Sequence, residues 1–153
     1  MKWLLLASIF ILDALSKTVA LHAIPPILSN VYPFGGIPIF SFSGITFSLN
    51  YVTNTGAAFG TLTNLAGLLF ILRLAIIVWL FCFVKKTFPI WLIITGALGN
   101  MIDYCLYGHV IDFLHFTFWG YSFPIFNLAD SCITIGVLSY ILFGRHSKKK
   151  APA

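Results

Sequence analysis

The chain has only four acidic residues, all Asp, and three of them fall between Asp103 and Asp130. The fourth, Asp13, interrupts the first apolar run. The stretch 99–130, GNMIDYCLYGHVIDFLHFTFWGYSFPIFNLAD, therefore gathers most of the carboxylate of the protein among aromatic side chains. So sparing a use of charge limits the fold. Charged residues make up 8% of 153 and hydrophobic residues 59%, against roughly a quarter charged in soluble domains. A water-facing surface cannot be built from so few charges, so a single-domain integral membrane protein is expected. The net charge of +5 does not indicate nucleic acid. The basic residues sit at segment ends, and no basic face is interleaved with polar groups.

The apolar runs predict an all-α membrane protein with four transmembrane helices, at about 3–22, 61–84, 88–106 and 127–143. Crossing ~30 Å of hydrocarbon takes about 20 residues at 1.5 Å each. The N-terminal run imitates a signal peptide, but Asp13 and Lys17 interrupt it and no small-residue cleavage site follows, so a retained helix is expected. Between the first two helices, residues 24–60 carry Pro25, Pro26, Pro33 and Pro38, several glycines and short β-prone runs at 37–40 and 45–51. Pro and Gly break a helix repeatedly here. A small β-rich element resting on the membrane surface is expected, with Tyr32, Phe34, Phe40, Phe42, Phe47 and Tyr51 suited to the headgroup level.

Lys2, Lys85, Lys86, Arg145 and Lys148–Lys150 cluster at the N-terminus, the second loop and the tail 145–153. The positive-inside rule makes these cytoplasmic and turns 23–60 and 107–126 outward. Asp103, Asp112, Asp130 and Lys17 then converge on the outer leaflet, with Asp112 in a loop. Arg73, within the second helix, has to face protein or water.

Two phrases, Asn100-Met-Ile-Asp103 and Asn127-Leu-Ala-Asp130, place Asn beside Asp on a helix face. Helix capping explains the second, where Asn127 is an N-cap and Asp130 sits at the positive end of the dipole. It does not explain Asp103 at a helix C-terminus, nor Asp112 within Val110-Ile-Asp-Phe-Leu114. Two carboxylates close together in a low-dielectric site share a proton. Such a pair hydrolyses a peptide bond without a metal: the ionised member takes a proton from water and the protonated one polarises the carbonyl. Asp112 and Asp130 are the candidates, with Asp103 in support. Proton or cation handling in a small membrane carrier competes with this reading, because intramembrane Asp also marks ion paths. Plain capping and packing is the third.

Other constellations are weaker. His109 and His115 bracket Asp112 but lack a compact third metal ligand. Thr53-Asn54-Thr55-Gly56 reads first as a turn. Ser16 and Ser131 have no base arranged beside them. Cys82, Cys105 and Cys132 match no metal spacing, and a Cys105–Cys132 disulfide is left open.

Four motifs in order resemble those of the lipoprotein signal peptidase (signal peptidase II) family: Asp13-Ala-Leu-Ser-Lys17, Asn54-Thr-Gly56-Ala-Ala-Phe59, Gly99-Asn-Met-Ile-Asp103 with Gly108-His-Val-Ile-Asp112-Phe113, and Phe126-Asn-Leu-Ala-Asp130-Ser131. The resemblance implies a bacterial inner-membrane aspartyl endopeptidase, working without metal or cofactor, with Asp112 and Asp130 catalytic. Asp13, Lys17, Asn54, Gly56, Asn100, Asp103 and Asn127 become its supporting residues. It implies diacylglyceryl-modified prolipoproteins as substrates, cut before the lipidated Cys, contact with membrane lipid, and inhibition by globomycin. A monomer is expected. One position departs: the family has Arg after the Asp of G-N-x-x-D, where this chain has Tyr104. That substitution is expected to alter affinity for substrate or antibiotic rather than the chemistry.

Overall fold

A computed structural model describes residues 1–25, 36–55 and 66–143. Gly56, Tyr32, Phe34 and the basic tail lie outside the described residues. Among the described residues there are four helices: α1 (Lys2–Ala23), α2 (Ala66–Phe83), α3 (Phe88–Tyr107) and α4 (Leu128–Phe143). With them is one antiparallel sheet in the order β1 (Ile37–Phe42), β2 (Ile45–Asn54), β3 (Val110–Phe118), β4 (Tyr121–Ser122).

The helices are arranged inside-out relative to a soluble bundle. On α1 the buried residues are Leu6, Asp13, Lys17 and Ala20, while Leu4, Leu5, Ile11, Leu12, Leu15 and Val19 are exposed. The charged pair faces protein and the apolar side chains face outward, as a helix surrounded by lipid requires. Between α3 and α4 there is no room for side chains at two crossing points. A Cβ on Gly96 would stand 2.4 Å from the Ala129 carbonyl oxygen, and one on Gly136 would stand 2.8 Å from that of Pro89. Small residues of this kind let helix backbones approach closely where burial from water offers no driving force.

Local signals explain the ends. Pro89 in the first turn of α3 is harmless because its missing N–H would be unpaired there anyway, and Gly108 closes the helix at φ 74 with its N–H on Tyr104 O at 2.9 Å. Both β-hairpins use two-residue turns with positive φ, Ser43-Gly44 and Trp119-Gly120. Trp119 donates its N–H to Gly44 O at 2.6 Å, which ties the two turns side by side.

The expected all-α class needs correction. The protein is helix-rich with a four-stranded sheet, and half of that sheet comes from the segment expected to be an outer loop. Asp112 is therefore on a strand, not in a loop. Val110–Phe118 is β-branched and aromatic, and β2 pairs with it from Ile45↔Phe118 to Asn54↔Val110. That partner lies far away in sequence, so the element between the first two helices did not reveal it. Among the described residues, α1 and α3 are long and apolar enough to cross a membrane, and the described parts of α2 and α4 are shorter apolar helices. Cys82, Cys105 and Cys132 are free thiols, with Cys105 exposed and Cys132 buried, so the open disulfide is not formed. The sheet sits on the C-terminal end of α1, where Ala20 and Ile24 pack with Ile111 and Phe113 of β3.

Candidate active site

Five elements, α1, β2, α3, β3 and α4, deliver the polar residues to one place. On α1, the i,i+4 spacing puts Asp13 and Lys17 on the buried face. Lys17 Nζ then contacts three acceptors: Asp13 Oδ2 at 2.7 Å, Asp103 Oδ2 at 2.8 Å and Asn100 Oδ1 at 2.9 Å. An ammonium has three protons and all are used. This accounts for Asp103, whose carboxylate at a helix C-terminus is opposed by the dipole. It is held by Lys17 from another helix and by the Ile111 N–H at 3.3 Å. The second oxygen of Asp13 accepts from the Ala129 N–H at 2.9 Å, in the first turn of α4.

At the start of α4, Asn127 and Asp130 form a reciprocal cap. The Asp130 N–H donates to Asn127 Oδ1 at 2.8 Å, and the Asn127 N–H donates to Asp130 Oδ2 at 3.4 Å. The capping reading of this phrase is correct as far as it goes. The cap also leaves the Asn127 amide nitrogen pointing into the cluster. Its Nδ2 lies 2.7 Å from Asp112 Oδ1, with Asn100 Oδ1 at 3.1 Å and Ile111 O at 3.2 Å. One side chain thus caps the helix that carries Asp130 and holds Asp112.

Asp112 and Asp130 differ from the other two acids in what supports them. Asp13 and Asp103 share the ammonium of Lys17. Asp112 is held by amides, Asn54 Nδ2 on Oδ2 at 2.9 Å and Asn127 on Oδ1, and Asp130 by Asn100 Nδ2 on Oδ1 at 2.7 Å. Asp112 is 2% exposed. Burial, and then the charge of Asp130, push its carboxyl up to about 7, against the hydrogen bonds from Asn54 and Asn127 and the field of Lys17. The arrangement can keep one proton on a carboxyl pair near neutral pH.

Most residues singled out by sequence meet here: Asp13, Lys17, Asn54, Asn100, Asp103, Asp112, Asn127 and Asp130. Tyr104 takes a different place. Its ring stacks on Phe70 of α2 at 5.1 Å, and among the described residues no hydrogen bond involves its hydroxyl. Asp13 is engaged by Lys17 and Ala129 rather than by Arg73. His115 points to the face of β3 opposite Asp112. It is buried with Asn50 Nδ2 at 3.2 Å and Ser48 Oγ at 3.5 Å from Nδ1, and Ser122 Oγ at 2.8 Å from Nε2. Burial lowers its pKa, which favours the neutral ring. No sequence motif signals this network, nor the Ala129 and Ile111 amides, because backbone donors and alternate-face strand partners carry none.

The family model for signal peptidase (SPase) II matches residues 5–144. A lipoprotein signal peptidase of Synechocystis is 40% identical over 147 residues, covering 91% of this chain and 84% of that protein. One of Staphylococcus aureus is 41% identical over 112 residues, covering 67% of this chain and 69% of its own length. Two solved structures, each described as a bacterial membrane enzyme studied by the in meso method, superpose with TM-scores of 0.74 at 30% identity. The first covers 99% of this chain and 93% of its own, the second 97% and 94%. The chain belongs to the signal peptidase II family, as an aspartic-type peptidase of lipoprotein processing.

Proposed function

We propose that the protein removes the signal peptide from prolipoproteins already carrying diacylglycerol, cutting just before the lipidated Cys, with Asp112 and Asp130 as the catalytic pair. The observation that carries this reading is the unequal support of the four acids. Lys17 neutralises Asp13 and Asp103 and leaves Asp112 and Asp130 on amide donors alone. Asp112, pushed up to about 7, is the member that keeps the proton. Asp130, in the first turn of α4, is the member whose anion the helix dipole favours.

In the reaction, Asp130 takes a proton from water as its oxygen attacks the scissile carbonyl carbon. Asp112 gives its proton to the carbonyl oxygen, forming a neutral tetrahedral diol. Asp130 then passes its proton to the leaving nitrogen. A diol hydroxyl returns a proton to Asp112 as the C–N bond breaks. Asn54, Asn100 and Asn127 orient the pair, and Gly56 is carried as a supporting residue on the motif alone. The enzyme acts as a monomer from the outer leaflet of the bacterial inner membrane, with both termini cytoplasmic, and is sensitive to globomycin. Tyr104, stacked on Phe70, gives the α2–α3 seam an aromatic wall where the family has a cation.

The test uses purified protein and a diacylated lipobox peptide. Wild type should cleave before the Cys in the presence of EDTA. Asp112→Asn and Asp130→Asn should each lower kcat by at least about a thousandfold while leaving the protein folded. Cleavage that survives either substitution rules out the pair.

A further inference from the structure

The face of β3 that carries Asp112 does not end there. Strand alternation puts Asp112, Leu114, Phe116 and Phe118 on one side of the sheet. Their cross-strand partners Leu49, Phe47 and Ile45 lie on the same side. The rings are in register: Phe47 stacks on Phe116 at 4.6 Å, and Phe116 faces Phe126 at 6.2 Å. The chain returning from β4 runs along the outer edge of β3, with Phe123 N–H on Phe116 O at 2.9 Å and Phe126 N–H on Leu114 O at 3.1 Å. Phe116, Phe118, Phe123 and Phe126 enclose a cavity of about 170 Å³. Phe126 is the residue before Asn127, whose amide holds Asp112. An aromatic trough thus lies on the strand face that carries Asp112, with Phe116 about 13 Å along β3 from Asp112 at ~3.3 Å per residue.

We infer that this trough is the binding site for an acyl chain of the lipidated substrate. The inference rests on the proposed substrate class and says where in the enzyme its lipid goes. Three observations favour an acyl chain over a stretch of peptide. The cavity is lined by phenylalanine alone. The strands beneath it are paired on both sides, β2 with β1 and β3, and β3 with β2 and the returning chain, so a peptide would find no backbone partner. Asp112 is the one charged residue on this face of β3, so nothing repels a hydrocarbon. A chain of the substrate is favoured over bulk lipid because it arrives tethered. With the scissile bond at Asp112, the attached chain has a high effective concentration at a trough that begins on the same strand face.

The trough is tested by binding, which does not require turnover. Lipobox peptides with an N-methylated scissile bond are prepared with long (palmitoyl) and short (butyryl) diacylglyceryl groups, and Kd is measured at fixed detergent concentration. Wild type should bind the long-chain peptide about tenfold more tightly. Phe118→Ala and Phe123→Ala should erase most of that preference and leave short-chain binding within about twofold. Phe123→Leu, which keeps an apolar wall, should retain it. An unchanged preference in both Ala variants overturns the inference, as expected if the trough holds bulk lipid. An equal loss for long and short chains also overturns it, since that marks a peptide contact or a disturbed sheet. Absence of cleavage of the ordinary diacylated peptide by wild type is a different result, and counts against the catalytic reading instead.

Discussion

Lys17 on α1 lies 2.8 Å from Asp103 on α3, and both are buried. This contact joins α1 and α3, each long and apolar enough to cross a membrane, through a charge pair. The same ammonium holds Asp13 at 2.7 Å. Replacing Lys17 by Met leaves two buried carboxylates without their cation. Breaking a buried pair in this way costs about 3–5 kcal/mol. Lys17→Met should lower the melting temperature in detergent sharply, and Lys17→Met with Asp103→Asn should recover part of the loss. Equal melting of the single variant and wild type would show that the pair does not hold the fold.

Asn127 has two duties that substitution can separate. Loss of an N-cap costs about 1 kcal/mol. Loss of its hydrogen bond to Asp112 removes an influence that lowers that carboxyl. Asn127→Ala should therefore cut kcat by about ten- to a hundredfold and also move the alkaline limb of the pH–rate profile upward. Asn127→Ser keeps a capping oxygen but no amide donor, so stability should return without activity. A profile that stays in place would mean that Asn127 acts only as a cap.

The pH dependence follows from Asp112, held near 7 when its ordinary value is 3.8. Below about 7 the pair keeps one proton and the enzyme is competent. Above it the proton is lost, and kcat/KM should fall by about tenfold per unit. Stability runs with the same sign. A carboxyl raised in the folded state contributes fully below the unfolded value, and that contribution is lost as pH rises through about 7. Asp112→Asn should melt at a less pH-dependent temperature than wild type between about pH 4 and pH 7, the window those values define. An alkaline limb near 7 that survives in Asp112→Glu but shifts would support the assignment. A limb unmoved by any change at position 112 would refute it.

Glycine at the α3–α4 crossing is required by space. A Cβ at Gly96 meets backbone atoms of Ala129, which cannot swing aside, so the two helices must part. Gly96→Ala should destabilise by about 1–3 kcal/mol and lower activity, since Ala129 lies between Asn127 and Asp130. Gly67 in α2 has open space around it. Gly67→Ala, in the first described turn of α2, should be neutral or mildly stabilising. Thermal unfolding of the two variants side by side checks both.

Tyr104 packs its ring on Phe70 and contributes no charge to the site. Tyr104→Arg should change KM for the lipobox peptide and sensitivity to globomycin by about three- to tenfold, with kcat little altered. If neither moved, the residue would be a packing element of the α2–α3 seam and nothing more.

Much of the site was legible before the fold. A chain with almost no charge places its few carboxylates only where something holds them, so Asp13, Asp103, Asp112 and Asp130 stood out. Helical spacing joined Asp13 to Lys17 and Asn127 to Asp130, because those contacts are local and each is a matter of one turn. The described helices lie along the four apolar runs. Resemblance, rather than spacing, singled out Asp112 with Asp130.

The strand carrying Asp112 was not legible. A strand is stabilised by partners far away in sequence, and β3 acquires its identity only against β2. The same long-range pairing decided which side chains share the face of Asp112, sending His115 to the other side and lining up Phe116 and Phe118. The division of the acids was also a tertiary matter. One ammonium with three protons reaches Asp13, Asp103 and Asn100 and no further acceptor. Composition and local spacing determined that this protein keeps its carboxylates for one buried cluster. Only the packing of α1 against α3 and α4, and of β3 against β2, decided which two carboxyls were left without a cation.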